Sequence, residues 1–71
     1  GGISEAKSYT MNFKVMVQTG TIQVEVSDDS PVSFYDLNGK LIKSNSTICS
    51  SLSAGVYVVK VGVNAVKVMV P

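Results

Sequence analysis

The chain has 71 residues, of which 45% are hydrophobic and 15% charged, and its formal net charge is +1. This length allows one domain near the lower limit for a self-supporting core, and the composition favours a packed globule over a disordered chain. All of the basic residues are lysines spread along the chain, so no basic cluster indicates binding to nucleic acid. No run approaches the roughly 18 apolar residues of a membrane helix, so we expect no membrane insertion.

Residues 1–7 differ in character from the rest of the chain. They contain neither an initiator methionine nor the apolar core of a signal peptide. We interpret them as a linker or a tag remnant and assign residues 8–71 to one β-sandwich domain. The chain is therefore expected to be a piece of a larger protein.

Apolar residues alternate with polar ones in the first half of the chain, which is the period of a half-buried strand. One strand is predicted to run from Tyr9 to Val17, with the odd positions inward: Tyr9, Met11, Phe13, Val15 and Val17. A second strand is predicted over residues 21–26, with Ile22, Val24 and Val26 inward. The polar loop that follows, 27–31, contains Asp28 and Asp29, which we interpret as a solvated turn.

Residues 32–43 are predicted to form a hairpin, for which the sequence leaves two registers open. In the first register, Asn38 and Gly39 form a two-residue loop. Phe34 then lies opposite Lys43, which pairs an apolar residue with a charged one.

The second register has a three-residue loop over residues 37–39. It pairs Phe34 with Ile42 and Asp36 with Lys40, so apolar faces apolar and opposite charges face each other. It also places glycine where a left-handed residue is required. We favour this register.

Residues 47–52 are predicted to form a strand with Ile48 and Leu52 on one side and Cys49 on the other. Because Cys49 is the only cysteine, no disulfide can form within the chain. We expect its side chain to be a small, half-buried apolar group. No histidine is present to activate it as a nucleophile.

A closing hairpin is predicted from residues 56–61 and 65–70. Either Gly62-Val63 or Val63-Asn64 could form a two-residue loop, and Gly62-Val63 is favoured because glycine tolerates positive φ. No segment has the helical period of 3.6. Six to seven short strands therefore predict an all-β antiparallel sandwich or small barrel.

The residue types needed for catalysis are largely missing. The chain has no histidine, and neither the Asp28-Asp29 pair nor the Asp36-x-Asn38-Gly39 stretch offers more than turn chemistry. The aromatic residues are interpreted as core and cross-strand packing groups rather than as a base-stacking platform: Tyr9, Phe13, Phe34, Tyr35 and Tyr57. We therefore predict a protein that is not an enzyme, with no catalytic, cofactor-binding or metal-binding residues and no cofactor.

Three motifs in the second half of the chain resemble a known family. They are the hairpin Val32-Ser-Phe-Tyr-Asp-Leu-Asn-Gly-Lys-Leu-Ile42, the stretch Leu52-Ser-Ala-Gly-Val-Tyr57 and the closing strand Lys67-Val-Met-Val70. In this order and spacing they resemble the C-terminal sorting domains of the Bacteroidetes type IX secretion system. The resemblance implies an immunoglobulin-like antiparallel β-sandwich at the C-terminus of a secreted or cell-surface protein.

The same resemblance implies a function and partners. The domain would act as a sorting or cell-surface attachment module, with secretion or surface-attachment machinery and the upstream parent polypeptide as its partners. The alternative is a structural or adhesive sandwich that the surface protein retains, with no sorting role. The oligomeric state does not follow from the residues.

Overall fold

The computed structural model describes the backbone of residues 8–10 and all of residues 13–71. The expected linker, residues 1–7, and the expected inward position of Met11 lie outside these residues, as does the side chain of Tyr9. Within the described residues the chain forms strands and no helix. The strands are β1 (Ser8–Thr10), β2 (Phe13–Gln18), β3 (Thr21–Val26), β4 (Val32–Asp36), β5 (Leu41–Ser44), β6 (Ile48–Cys49), β7 (Gly55–Val61) and β8 (Asn64–Val70).

The strands form two sheets, in which all neighbours are antiparallel. The first sheet has the order β1-β2-β3-β6 and the second has the order β5-β4-β7-β8. The predicted all-β antiparallel sandwich is confirmed. Without the three-residue β1 the sandwich has seven strands, which is the upper limit of the six to seven predicted.

The core lies between the two sheets and receives side chains from both. The core forms because apolar and polar residues alternate along the strands and every second residue of a strand points to the same face. In β2, Phe13, Val15 and Val17 are buried while Lys14 and Gln18 are exposed. The buried set is apolar throughout: Phe13, Val15, Val17, Ile22, Val24, Val32, Phe34, Cys49, Val59, Val61, Val68 and Val70.

The first predicted strand is in fact two strands. Ser8–Thr10 pairs antiparallel with Phe13–Gln18, and Thr10 lies opposite Lys14. Apolar and polar residues can alternate in both arms of a chain that folds back on itself. The pattern therefore does not distinguish one long strand from two short paired strands. The inward positions predicted for β2, Phe13, Val15 and Val17, are confirmed.

The β4–β5 hairpin contains both of the registers considered. At the turn the three-residue loop is confirmed, since the Asp36 N–H donates to the Lys40 carbonyl at 2.9 Å and Gly39 has φ +84°. The predicted pairing of Phe34 with Ile42 is wrong, because a bulge beyond the turn places Phe34 opposite Lys43. β5 is an exposed edge strand, so matching apolar residues across this pair would bury little surface.

The strand around Cys49 is shorter than predicted, and the structure shows which of its two sides is inward. Only Ile48–Cys49 is β-strand, and Ser51 has φ +59°, which a continuing strand does not allow. Cys49 pairs with the buried Ile22 and therefore points into the core, with 2% of its surface exposed, whereas Ile48 points outward. Cys49 is thus an apolar core residue, buried rather than half-buried.

The closing hairpin has the predicted loop. Val61 pairs with Asn64, so Gly62 and Val63 form a two-residue turn in which Gly62 has φ +59°. Val63 lies at the tip and is 96% exposed. The two strands share one inward face, on which Val59, Val61, Val68 and Val70 are buried while Tyr57 and Val66 pack against the core.

Candidate recognition site

The three motifs of the second half of the chain meet at one end of the second sheet. The registers bring them together, because Asp36 lies opposite Tyr57, Tyr57 lies opposite Val68, and Gly55 lies opposite Val70. The end of β4, the start of β7 and the end of β8 therefore adjoin one another. We call this region the motif end.

The β4–β5 turn at the motif end is organised by the carboxylate of Asp36. Its Oδ1 accepts the backbone N–H groups of Asn38 and Lys40, each at 2.9 Å, and the Asp36 carbonyl accepts the Gly39 N–H at 3.0 Å. These bonds explain the spacing of Asp36, Asn38 and Gly39 as turn chemistry rather than as a calcium loop. The result is a hydrogen-bonded turn that displays Leu37 and Lys40 to solvent.

The Leu52–Tyr57 stretch forms a hydrogen-bonded corner that leads into β7. The Tyr57 hydroxyl donates to the Ser53 carbonyl at 2.7 Å, and the Leu52 N–H donates to the Gly20 carbonyl at 3.0 Å. Leu52 and the ring of Tyr57 pack against the core. The corner therefore ties the crossover between the sheets to the β2–β3 turn.

The opposite end of the sandwich has an open depression of about 510 Å³ between the loops 27–31 and 45–47. Asp28 Oδ1 accepts the Ser30 N–H at 2.9 Å, which confirms the predicted turn. Hydrogen bonds from the Ser30 side chain and backbone lower the pKa of the exposed Asp28 carboxyl. Among the residues that the structure describes, no three potential metal ligands of the His, Cys, Asp or Glu type lie together.

Cys49 does not contribute to an accessible site. Its thiol is not in a disulfide and faces the core, and burial raises its pKa, although the positive charge of Lys43 acts in the opposite sense. A buried thiol with a raised pKa is a poor nucleophile at neutral pH.

The outer surfaces of the two sheets differ in chemistry. That of the first sheet carries mainly polar and charged groups such as Lys14, Gln23 and Glu25, together with the apolar Met16 and Ile48. The outer surface of the second sheet combines half-buried or exposed apolar side chains with lysines: Tyr35, Leu41, Val56, Val58, Met69, Lys60 and Lys67. In the described part of the chain, no helix is long and apolar enough to cross a membrane.

The structure thus gathers the residues that carried the family resemblance, although they are separated in sequence. Sequence reasoning named the motifs but did not predict that they would adjoin. The β7–β8 hairpin could be predicted, but the pairing of β4 with β7 joins strands that are distant in sequence and is known only from the structure. Because both neighbours of β7 are antiparallel to it, the end of each lies beside the start of β7. The exposed features of this end are turns, a corner and strand termini, and the fold that carries them is a small antiparallel β-sandwich domain.

Comparison with known protein families agrees with that class. Residues 18–70 match the family model of the secretion system C-terminal sorting domain, so the chain belongs to this family of type IX secretion domains. Membership means that the parent protein is secreted or attached to the cell surface. Neither a curated protein nor a solved structure matches the chain.

Proposed function

We propose that this domain is the export signal at the C-terminus of a larger protein and that type IX secretion machinery recognises it as a folded module. The observation that carries the proposal is the match over residues 18–70, which extends from the end of β2 to the end of β8. The matching segment therefore includes strands of both sheets. A signal read as a linear peptide would not need the strands that build the core.

The motif end supports the same conclusion. Asp36, Tyr57 and Val68 lie side by side only because β4, β7 and β8 are paired. In an unfolded chain these residues are far apart, so a receptor that contacts the motif end distinguishes the folded from the unfolded domain. Each strand pairing in turn depends on the valine core beneath it.

A reporter fusion tests whether export requires the fold. The chain is fused to the C-terminus of a secreted reporter in a bacterium with a type IX system. The fraction of the reporter found at the cell surface and in the culture medium is then measured. Two variants are matched in chemistry and differ in burial: Val68→Asp introduces a carboxylate at a fully buried position, and Val63→Asp introduces it at an exposed turn. The buried charge costs several kcal/mol, which is comparable with the whole stability of a domain of this size.

We expect export of the unchanged fusion and of Val63→Asp, and retention of Val68→Asp inside the cell. Circular dichroism of the isolated domains establishes which variants are folded. Export of an unfolded Val68→Asp fusion at the wild-type level would show that the signal is read as a linear peptide. Failure of the unchanged fusion to be exported would contradict the sorting role itself.

The fate of the domain after export separates a removed signal from a retained module. Mass spectrometry of the mature parent at the cell surface reports on it through the tryptic peptide 61–67. We expect this peptide to be absent from the surface form and present in the intracellular precursor. Its presence at the surface in proportion to upstream peptides would instead indicate the retained structural or adhesive module, which the family match does not favour.

A further inference from the structure

The four edges of the two sheets are not equivalent. β1 has three residues and β6 has two, while β5 is interrupted by the bulge in its pairing with β4. The remaining edge, β8, has seven residues in unbroken register with β7. Short strands, bulges and charged residues, above all lysine, are devices by which proteins prevent pairing at a sheet edge. β8 is neither short nor bulged, and it carries one lysine, Lys67.

The hydrogen bonds that β8 can offer follow from the register of its hairpin. In a hairpin with a two-residue loop, the residues flanking the loop form a hydrogen-bonded pair, and such pairs then alternate along the ladder. Val61 and Asn64 flank this loop. The β8 residues bonded to β7 are therefore Asn64, Val66, Val68 and Val70.

The other residues of β8 direct their backbone N–H and C=O groups away from β7. They are Ala65, Lys67 and Met69, and their side chains are exposed on the outer face of the second sheet. In the described residues no further strand pairs with this edge. Three donor and three acceptor groups are thus displayed in the spacing that an added β-strand requires.

We propose that the free edge of β8 is the site at which an extended segment of the export machinery adds to the second sheet as a fifth strand. This inference rests on the proposed export function and assigns the contact through which it operates. Main-chain hydrogen bonds to Ala65, Lys67 and Met69 supply affinity, and the side chain opposite Lys67 supplies specificity.

The charge of Lys67 argues that the partner strand is not a second copy of this chain. A two-fold dimer through this edge would pair β8 with itself in antiparallel orientation. The antiparallel register that uses all three free residues places Lys67 opposite Lys67 of the other copy, and like charges directly opposite each other are destabilising. A strand with a carboxylate at that position instead complements the edge.

Proline substitution tests the edge without removing a bond within the sheet. The Lys67 N–H points away from β7, so Lys67→Pro removes a donor needed by the added strand but no bond to β7, and edge strands accept proline in this orientation. Lys67→Gln retains the N–H and removes the charge. Lys60→Gln removes a lysine of the same face from β7, away from the edge.

In the reporter fusion we expect Lys67→Pro to reduce export by about tenfold or more, the loss that corresponds to one or two hydrogen bonds. Lys67→Gln should give a smaller reduction, and Lys60→Gln should be exported at the wild-type level. Thermal melting of the isolated domains must show that Lys67→Pro is folded. If it is not, Ala65→Pro takes its place, since the Ala65 N–H has the same orientation.

Photocrosslinking gives a readout that does not depend on proline. A benzoylphenylalanine at position 67 of the full-length parent should form an adduct with an envelope protein in cells with an intact type IX system, whereas one at position 23, on the outer face of the first sheet, should not. An adduct between two copies of the parent would overturn the choice of partner.

A folded Lys67→Pro that is exported normally would overturn the edge proposal alone, whereas loss of export by the unchanged fusion would overturn the export function as well.

Discussion

The Tyr57 hydroxyl donates a 2.7 Å hydrogen bond to the backbone carbonyl of Ser53, four residues earlier in the chain. The bond closes the corner at which the chain crosses from the first sheet to the second. It resembles the tyrosine corner of immunoglobulin-type sandwiches, in which a tyrosine hydroxyl binds the backbone a few residues upstream. The Leu-x-x-Gly-x-Tyr spacing of the family motif thus has a structural explanation.

Replacing Tyr57 by Phe removes this bond and keeps the ring against the core. We expect the free energy of unfolding to fall by about 1 kcal/mol, the net value of one such bond. Urea unfolding followed by circular dichroism measures the change. Tyr35→Phe, on the outer face of the second sheet, is the matched control and should alter stability by less than about 0.5 kcal/mol. Equal losses in the two variants would argue against the corner.

Gly39 permits the turn at the motif end because its φ is +84°. No atom lies within 4 Å of the position where a Cβ would be, so a side chain meets backbone strain but no clash. Gly39→Ala should therefore destabilise the domain by about 1–2 kcal/mol. Gly39→Asn should cost less, because asparagine adopts left-handed conformations more readily. Urea midpoints compare the two, and an alanine variant as stable as the asparagine variant would contradict this account.

Phe34 and Ile42, which the sequence predicts to be partners, differ in burial because of the bulge in the β4–β5 hairpin. Phe34 is fully buried, whereas Ile42 is 41% exposed on the edge strand. Phe34→Ala should cost about 3–5 kcal/mol through lost burial and the cavity it leaves, and Ile42→Ala should cost about 1 kcal/mol or less. Thermal and urea unfolding of both variants measures the difference. Similar losses would indicate that the two side chains pack against each other as first predicted.

The buried thiol of Cys49 should make stability depend on pH in the alkaline range. Burial raises the pKa of the thiol above its unfolded value of about 8.5. The folded state then binds the proton more tightly, so this contribution is fully present below the unfolded pKa and is lost as pH rises through the folded pKa. We expect the stability of the wild type relative to Cys49→Ala to decrease from pH 8 upward.

Urea unfolding of the two proteins at pH 7 and at about pH 10 tests this expectation. The two proteins differ only at position 49, so effects of pH that they share cancel in the difference between them. The wild type should exceed the variant in stability by less at the higher pH. A difference that is independent of pH would show that the thiolate forms without cost in the folded state.

Local sequence was sufficient to predict most strands and both glycine turns of the second sheet. Residues 21–26 and 56–70 show alternation and turn signals within a few residues, and these signals act through local backbone preference and the two faces of a strand. The three motifs were likewise recognisable from order and spacing. They implied the family, which the match over residues 18–70 shows.

Only the tertiary structure decided which face of a short strand is inward and which strands are neighbours. Ile48 is the larger apolar residue, yet Cys49 is buried, because pairing of Cys49 with Ile22 determines its direction. The fold-back of Ser8–Thr10 onto β2 and the register beyond the bulge also depend on contacts between distant residues. The same contacts bring the motifs to one end of the sheet and leave β8 as its long, regular edge, because strand order is a property of the packed sandwich and not of any single segment.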